Sequence, residues 1–114
     1  MGADGAGFIG HLSSAMPLTG KQKRELKARG QTMPDDISLG KGGLSESFVA
    51  HAKLLLERKE LIKVRFADID GGERKALAKE VCAALGAECV QVLGRTMLVY
   101  RANPALDAHK RLLP

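Results

Sequence analysis

A glycine-rich segment with a single lysine is the part of this chain whose residue types could do chemistry. It runs Leu39-Gly40-Lys41-Gly42-Gly43-Leu44 and ends a short apolar run. Glycine at positions 40 and 43 permits positive φ and leaves no side chain to keep a ligand away from the backbone. A helix beginning directly after the loop would point its first, unpaired amides outward at the positive end of its dipole. Such a loop can contact a sugar-phosphate backbone, as the GXXG loop of KH domains does, and Lys41 would add a mobile positive charge.

The positive charge of the chain is concentrated in the half that contains this loop. The 114 residues include 18 Lys and Arg against 13 Asp and Glu, and residues 16–65 alone carry the net charge of +5 because the other residues balance. The first basic cluster comprises Lys21, Lys23, Arg24, Lys27 and Arg29, with Glu25 as its only acidic member. A solvated helix normally mixes its signs for i,i+4 pairs, so this cluster favours a phosphate-bearing partner. On charge alone, a basic surface that merely keeps the protein soluble stays open as the alternative.

The spacing of apolar residues predicts the element order α-β-α-β-α-β-β. Thr19 can cap the first helix, which Gly30 ends, and Asp70 with Glu73 resembles a capping box at the third helix, which Gly86 ends. The other predicted elements are a strand over 37–39, a helix over 44–58, a strand over 61–66 and strands over 89–93 and 96–100. This order predicts an α/β domain of the α+β two-layer sandwich type. It would have a small mixed four-stranded sheet, helices on one face and the basic first helix beside the glycine loop.

Four further cations are candidates for phosphate contact: Lys63, Arg65, Arg95 and Arg101. The strand over 61–66 alternates, so Lys63 and Arg65 face away from the helices that cover its apolar side. The two-residue connection after the third strand begins with glycine, which suits a type II′ turn and puts Arg95 at the hairpin tip. Arg101 follows the last strand. These cations could bind phosphate, or they could belong to an ordinary polar outer face, with Arg101 pairing with a carboxylate.

The chain divides into one predicted domain and two flanks. Residues 16–104 form the domain, residues 105–114 a polar C-terminal tail, and residues 1–15 a flexible leader, a start-site extension or an expression remnant. The leader contains Gly5-Ala6-Gly7-Phe8-Ile9-Gly10, which matches the dinucleotide-binding pattern G-x-G-x-x-G. The few residues before it cannot make the strand that this motif requires, so we expect no nicotinamide or flavin binding.

Other function classes find little support in the sequence. Cys82 and Cys89 fit a reduced, cytoplasmic protein better than a disulfide scaffold, and the three histidines are too scattered for a zinc site. The histidines have no carboxylate or nucleophile at a suggestive spacing, and the nucleotide-triphosphate loop pattern is absent. No apolar run approaches the ~18 residues of a membrane span, and the N-terminus does not resemble a secretory signal. We therefore expect a cytoplasmic non-enzyme with no cofactor, metal, small-molecule substrate or membrane contact.

Four sequence blocks resemble one known family in order and spacing. They are Leu18-Thr19-x-x-Gln22, Leu39-Gly40-Lys41-Gly42-Gly43-Leu44-Ser45, Glu60-Leu61-Ile62-Lys63-Val64, and Val90-Gln91-Val92-Leu93-Gly94-Arg95 through Leu98-Val99-Tyr100-Arg101. Together they resemble the CRM domain (chloroplast RNA splicing and ribosome maturation) in its stand-alone bacterial form, the YhbY-like proteins. The resemblance extends from Leu18 to Arg101.

The resemblance implies an RNA-binding domain similar in fold to the C-terminal domain of translation initiation factor 3. It also implies association with precursors of the large ribosomal subunit. The basic first helix and the glycine loop are the RNA-contacting elements expected in this family, and they map onto Lys21, Lys23, Arg24, Lys27 and Gly40 to Gly43. Two features depart from the family: Lys59 stands where members often have His, and the charges of Asp35 and Asp36 would reduce affinity near the loop.

We therefore expect a non-catalytic, monomeric protein that binds large-subunit ribosomal RNA or its precursor as an assembly factor. Aromatic residues make up only 4% of the chain, so backbone and shape contacts fit better than base stacking. One alternative is a protein-interaction adaptor whose basic helix docks on an acidic ribosomal protein or an assembly GTPase. Another is a general RNA chaperone without preference for ribosomal RNA.

Overall fold

The computed structural model describes residues 18–40, 42–106 and 112. Its elements are α1 (Gly20–Gln31), β1 (Ile37–Leu39), α2 (Glu46–Lys59), β2 (Leu61–Phe66), α3 (Gly71–Leu85), β3 (Glu88–Leu93) and β4 (Thr96–Tyr100). This confirms the predicted element order and the α+β class. The predicted leader, most of the predicted C-terminal tail and Lys41 lie outside the described residues.

Local hydrogen bonds explain where the helices begin and end. Thr19 Oγ1 accepts from Gln22 N at 3.1 Å and the Gln22 side chain accepts from Thr19 N at 3.0 Å, so α1 starts with a complete capping box. Asp70 is the N-cap of α3, but its side chain makes no capping hydrogen bond, so the capping box predicted there is wrong. As predicted, α3 ends at Gly86, which has a left-handed φ of 62°.

The sheet has the strand order β1-β2-β4-β3. β1 is parallel to β2, while β4 is antiparallel to both β2 and β3. The carboxyl ends of β1, β2 and β3 therefore lie at one end of the sheet, together with the start of β4. The glycine loop and the β3–β4 hairpin tip share this end, which we call the loop end of the sheet.

The main core lies between the sheet and the pair α2 and α3. Its buried residues are Leu39, Phe48, Ala52, Leu56, Ile62, Val64, Phe66, Ala78, Val81, Cys82, Leu85, Met97 and Val99. The strand members come from alternate positions of β2 and β4, which point to the same face of the sheet. The prediction of helices on one face therefore describes α2 and α3.

α1 packs on the opposite face of the sheet, contrary to the two-layer expectation. Leu26 from α1 packs there with Leu61, Val90, Leu98 and Tyr100 in a separate, smaller cluster. These strand residues alternate with those of the main core, so both faces of the central strands are buried. We call this side of the sheet the α1 face. Burial on both faces explains why β4 is apolar along most of its length.

Glu60 joins α2 to β2 and is fully buried, with a left-handed φ of 62°. Its carboxylate accepts from Asn103 N at 2.6 Å and from Leu112 N at 2.8 Å, and its backbone oxygen accepts from Arg101 N at 2.8 Å. Backbone N–H donors of this kind satisfy a buried carboxylate. Glu60 therefore fastens the chain that follows β4, at the end of the sheet opposite the loop end.

Candidate nucleic-acid interface

The glycine loop connects β1 to α2. Gly43 N donates to Gly40 O at 3.0 Å, and Gly43 has a φ of 75°, so this turn requires glycine at position 43. Gly40 does not use the left-handed freedom that the sequence suggested for it. A Cβ added to Gly40 or Gly42 would meet no atom within 4 Å. Packing inside the described protein therefore does not require glycine at positions 40 and 42, whereas close approach of an external backbone would.

The start of α2 offers less to an anion than the sequence predicted. Ser45 is the N-cap, and its Oγ accepts from Phe48 N at 3.1 Å. Glu46 places a negative charge in the first turn. The helix thus satisfies one of its first amides internally and stabilises its own dipole. Among the described residues of this loop, the exposed backbone of Gly40 and Gly42 is therefore what is left for a ligand to contact.

The predicted contact residues on α1 differ in exposure. Lys21 and Arg24 are exposed, whereas Lys23 and Lys27 are half-buried against the sheet. Within the described part of the chain, none of these four side chains forms an ion pair. Arg29 does, at 3.5 Å from the glutamate four positions before it. The four predicted cations are therefore the ones that α1 offers to a partner.

Lys27 and Lys63 line one depression between α1 and the sheet. The lining also includes Gln31, Gln91, Leu93 and Thr96. Lys63 thus faces away from α2 and α3, as predicted, and lies beside α1, where its Nζ donates to the backbone oxygen of Met33 at 3.0 Å. Leu93 is 64% exposed. Cations, amides and an exposed apolar side chain give this depression groups that can contact phosphates and bases.

The two acidic residues before β1 have separate partners. Asp36 Oδ1 accepts from Lys59 Nζ at 2.7 Å, and its Oδ2 accepts from Lys63 N at 2.9 Å. The protein itself uses the charge of Asp36, and Lys59, one of the two departures from the family, has a structural role. Asp35 pairs with Arg65 at 3.7 Å, where both side chains are exposed. Such exposed pairs contribute roughly 0–1 kcal/mol, so a phosphate can compete with Asp35 for Arg65.

Arg95 lies at the hairpin tip, at the same end of the sheet as the glycine loop. Phe66 N donates to Arg95 O at 2.7 Å, and Ala67 N donates to Leu39 O at 2.9 Å. The end of β2 therefore lies between the hairpin tip and the strand that enters the loop. The left-handed φ of 59° belongs to Gly94 and not to Arg95, as the predicted type II′ turn requires.

Arg74 of α3 holds the hairpin tip in place, a role that the sequence did not reveal. Its Nε donates to the backbone oxygen of Ile69 at 2.9 Å, and its guanidinium also donates to the backbone oxygen of Gly94. The partner at Gly94 is 20 residues away in sequence. No local pattern indicates a contact over that separation.

Arg101 lies apart from the other predicted contact residues. Its backbone donates to Glu60 O, and its neighbours include Leu56, Glu57 and Asn103 at the end of the sheet opposite the glycine loop. The structure therefore brings Arg95 to the loop end, Lys63 and Arg65 to the α1 face, and Arg101 to neither. A role for Arg101 in binding stays a prediction.

The described residues contain neither a cluster of metal-binding side chains nor a membrane-spanning helix. Among residues 18–40, 42–106 and 112, no group of three or more His, Cys, Asp or Glu side chains could hold a metal ion. No helix in this part of the chain is long and apolar enough to cross a membrane.

The geometry defines a class of small α+β domain. A helix across one sheet face carries cations that pair with none of the described residues, and a glycine loop lies at the end of the sheet. Residues 18–101 match the family model that is described as the CRS1 / YhbY (CRM) domain. The chain therefore belongs to the CRS1 / YhbY (CRM) domain family, as the sequence blocks indicated.

Individual proteins support this assignment. Probable RNA-binding protein PA4753 of Pseudomonas aeruginosa is 37% identical over 89 residues, which cover 78% of this chain and 86% of that protein. Probable RNA-binding protein YqeI of Bacillus subtilis is 30% identical over 86 residues, which cover 75% of this chain and 90% of that protein. The solution structure of the hypothetical protein SAV1595 from Staphylococcus aureus has a TM-score of 0.70 and 34% identity, over 79% of this chain and 94% of that chain.

Proposed function

We propose that this protein binds RNA with its α1 face and the loop end of its sheet, and that it catalyses no reaction. Family membership and the names of the two relatives support RNA as the partner. The observation that carries the proposal is the pair Gly40 and Gly42, where no contact in the described protein requires glycine. A sugar-phosphate backbone lying against the loop would require it.

The described contacts suggest how the surface would work. The exposed cations Lys21 and Arg24 would neutralise phosphates, since neither is paired within the described chain. The lining of the shallow depression between α1 and the sheet would contact an adjoining nucleotide, with Lys27 and Lys63 toward its phosphate and Leu93 against its base. The exposed backbone around Gly40 and Gly42 would contact phosphates or 2′-hydroxyl groups.

Substituting alanine for these two glycines tests the proposal with little disturbance of the fold. The double variant Gly40→Ala/Gly42→Ala adds two methyl groups that meet no atom of the described protein. We expect RNA affinity to fall by about tenfold, or about 1.4 kcal/mol, while the free energy of unfolding stays the same or rises. Gly72→Ala is the matched control, because a Cβ there also meets nothing within 4 Å. Equal RNA affinity for all three proteins would contradict a close contact at the loop.

Salt dependence tests whether phosphate contacts dominate. If four to six phosphates are neutralised, the logarithm of the binding constant should fall with the logarithm of salt concentration at a slope of about −3 to −5. A slope near zero would rule out an interface built on Lys and Arg.

We further propose that the RNA is a segment of the large-subunit ribosomal RNA or its precursor, and that the protein acts in the cytoplasm as a monomeric assembly factor. The resemblance to stand-alone bacterial CRM proteins is the basis for this finer assignment. Sedimentation of cell lysate through a sucrose gradient tests it. Co-migration with large-subunit precursors and not with mature ribosomes is expected, whereas protein that stays at the top at low salt would contradict it.

Two alternative functions predict different experimental results. An adaptor that docks on an acidic ribosomal protein would stay on the particles after RNase treatment, whereas an RNA-bound protein would be released. A general RNA chaperone would bind ribosomal RNA and unrelated RNA equally well. The α1 cations, which pair with none of the described residues, fit an acidic protein as well as RNA. The RNase experiment is therefore needed to distinguish the adaptor from an RNA-bound protein.

A further inference from the structure

Gly30 lies within α1, where glycine is an unfavourable residue. It is the next-to-last residue of the helix and is buried. Glycine loses more backbone freedom on folding than any other residue, so alanine would favour the helix. The φ of Gly30 is not in the left-handed region that would require glycine. Glycine at this position therefore needs a reason outside the helix.

Leu98 of β4 occupies the space that a side chain at position 30 would need. A Cβ added to Gly30 would lie 2.7 Å from Cδ2 and 3.0 Å from Cγ of Leu98, and closer still to Cδ1. Carbon atoms in favourable contact are about 3.5–4.0 Å apart. Leu98 is only 4% exposed and is enclosed by its cluster with Leu26 and Val90, which limits how far it can turn away. The absence of a side chain at Gly30 thus allows α1 to approach β4 closely.

This close approach occurs beside two of the predicted RNA contacts. Gly30 and Leu98 line the depression that Lys27 and Lys63 also line. Lys63 is attached to the turn that follows α1, because its Nζ donates to Met33 O at 3.0 Å. Met33 N in turn donates to Gly30 O at 3.2 Å. The relative position of the two lysines therefore depends on how closely the end of α1 lies against the sheet.

We propose that Gly30 and Leu98 are a size-matched pair that sets the height of α1 above the sheet. This height places Lys27 of α1 and Lys63 of β2 so that both contact one segment of RNA. The inference rests on the proposed function, since it takes the two lysines as phosphate contacts. Gly30 and Leu98 themselves are positioning residues. A methyl group at position 30 would push the end of α1 outward, and Lys27 would move with the helix while Lys63 stays on its strand.

Gly30→Ala tests the positioning role without removing a charge. We expect the salt slope of RNA binding to fall by about one unit, because Lys27 loses its phosphate contact. RNA affinity should fall with it. Gly20→Ala is the matched control, because it adds the same methyl group to the same helix where the nearest atom is 3.7 Å away. An unchanged salt slope in Gly30→Ala would overturn the proposal.

The double variant Gly30→Ala/Leu98→Val tests the size match. It moves one carbon atom from the strand to the helix and so conserves the volume of the cluster. We expect it to regain the salt slope and the denaturation midpoint of the unmodified protein, whereas Leu98→Val alone should lower the midpoint by leaving a small cavity. A midpoint below those of both single variants would overturn the match. If Gly30→Ala does not fold, a folded double variant supports the pair and an unfolded one overturns it.

Lys27→Gln, measured in two backgrounds, distinguishes a failure of this proposal from a failure of the proposed function. In the unmodified protein it should reduce the salt slope by about one unit. In the Gly30→Ala background it should reduce the slope no further, because Lys27 has already lost its contact. No effect in the unmodified protein would contradict the proposed RNA contact at Lys27. A full unit in both backgrounds would leave that contact intact and overturn the positioning role of Gly30.

Discussion

The two faces of the sheet differ in how much they bury and in what they leave exposed. Among the described residues, α2 and α3 cover a core of 13 buried residues on one face, whereas α1 covers a cluster of five on the other. The α1 face also carries Lys23, Lys27, Lys63 and Arg65 on or beside it. The larger core holds the strands in place, and the smaller one is sufficient to fix a basic helix across them. Stability and binding are therefore divided between the two faces.

Truncating buried side chains should produce the largest difference between the two faces. Phe66→Ala in the main core should lower the free energy of unfolding by about 3–5 kcal/mol, and Leu26→Ala in the α1 cluster by about 2–3 kcal/mol. Leu26→Ala should loosen α1 alone, because its partners are confined to the smaller cluster. Chemical denaturation measures both energies, and amide exchange shows which elements open. Equal loss of protection in α1 and β2 after Leu26→Ala would show that the faces are not separable.

Charge removal on the two faces gives the next largest contrast. Lys21→Gln/Arg24→Gln on α1 should reduce the salt slope of RNA binding by about two units, one for each lost phosphate contact. Lys75→Gln/Lys79→Gln removes the same charge from exposed positions of α3, on the other face. The control pair should leave the slope nearly unchanged. Equal losses for both pairs would indicate diffuse attraction and no defined surface.

Arg101→Gln should give the smallest effect. Arg101 lies at the end of the sheet opposite the glycine loop. If RNA contacts only the loop end and the α1 face, removing this charge should reduce the salt slope of RNA binding by less than one unit. A full unit would mean that the footprint extends along the whole sheet, and it would support the original prediction for this residue.

The sequence predicted the order of the elements because several of them begin or end at a local signal. The capping box at Thr19, the left-handed Gly86 and the turn at Gly94 are all properties of a few adjacent residues. The sequence of α1 contains no local signal for the face of the sheet on which this helix packs. The information was in β4, where Met97 to Tyr100 are all apolar and thereby indicate a strand buried on both sides.

Only part of the site could be predicted, because local sequence shows residue types but not distant contacts. Glycine and basic residues are visible in the sequence, but their partners are not. Asp36 reaches Lys59 across 23 positions, and Arg74 reaches Gly94 across 20. Only the fold shows that Asp36 is used internally and that Arg101 lies away from the loop.

Lysine footprinting tests the central claim most directly. The protein is acetylated briefly with and without ribosomal RNA, and the modified lysines are identified by mass spectrometry. We predict that RNA protects Lys21, Lys23 and Lys27 on α1, while Lys75 and Lys79 on α3 react equally in both samples. Protection of the α3 lysines, with no change in the reactivity of the α1 lysines, would place the RNA on the face covered by α2 and α3 and would contradict the account.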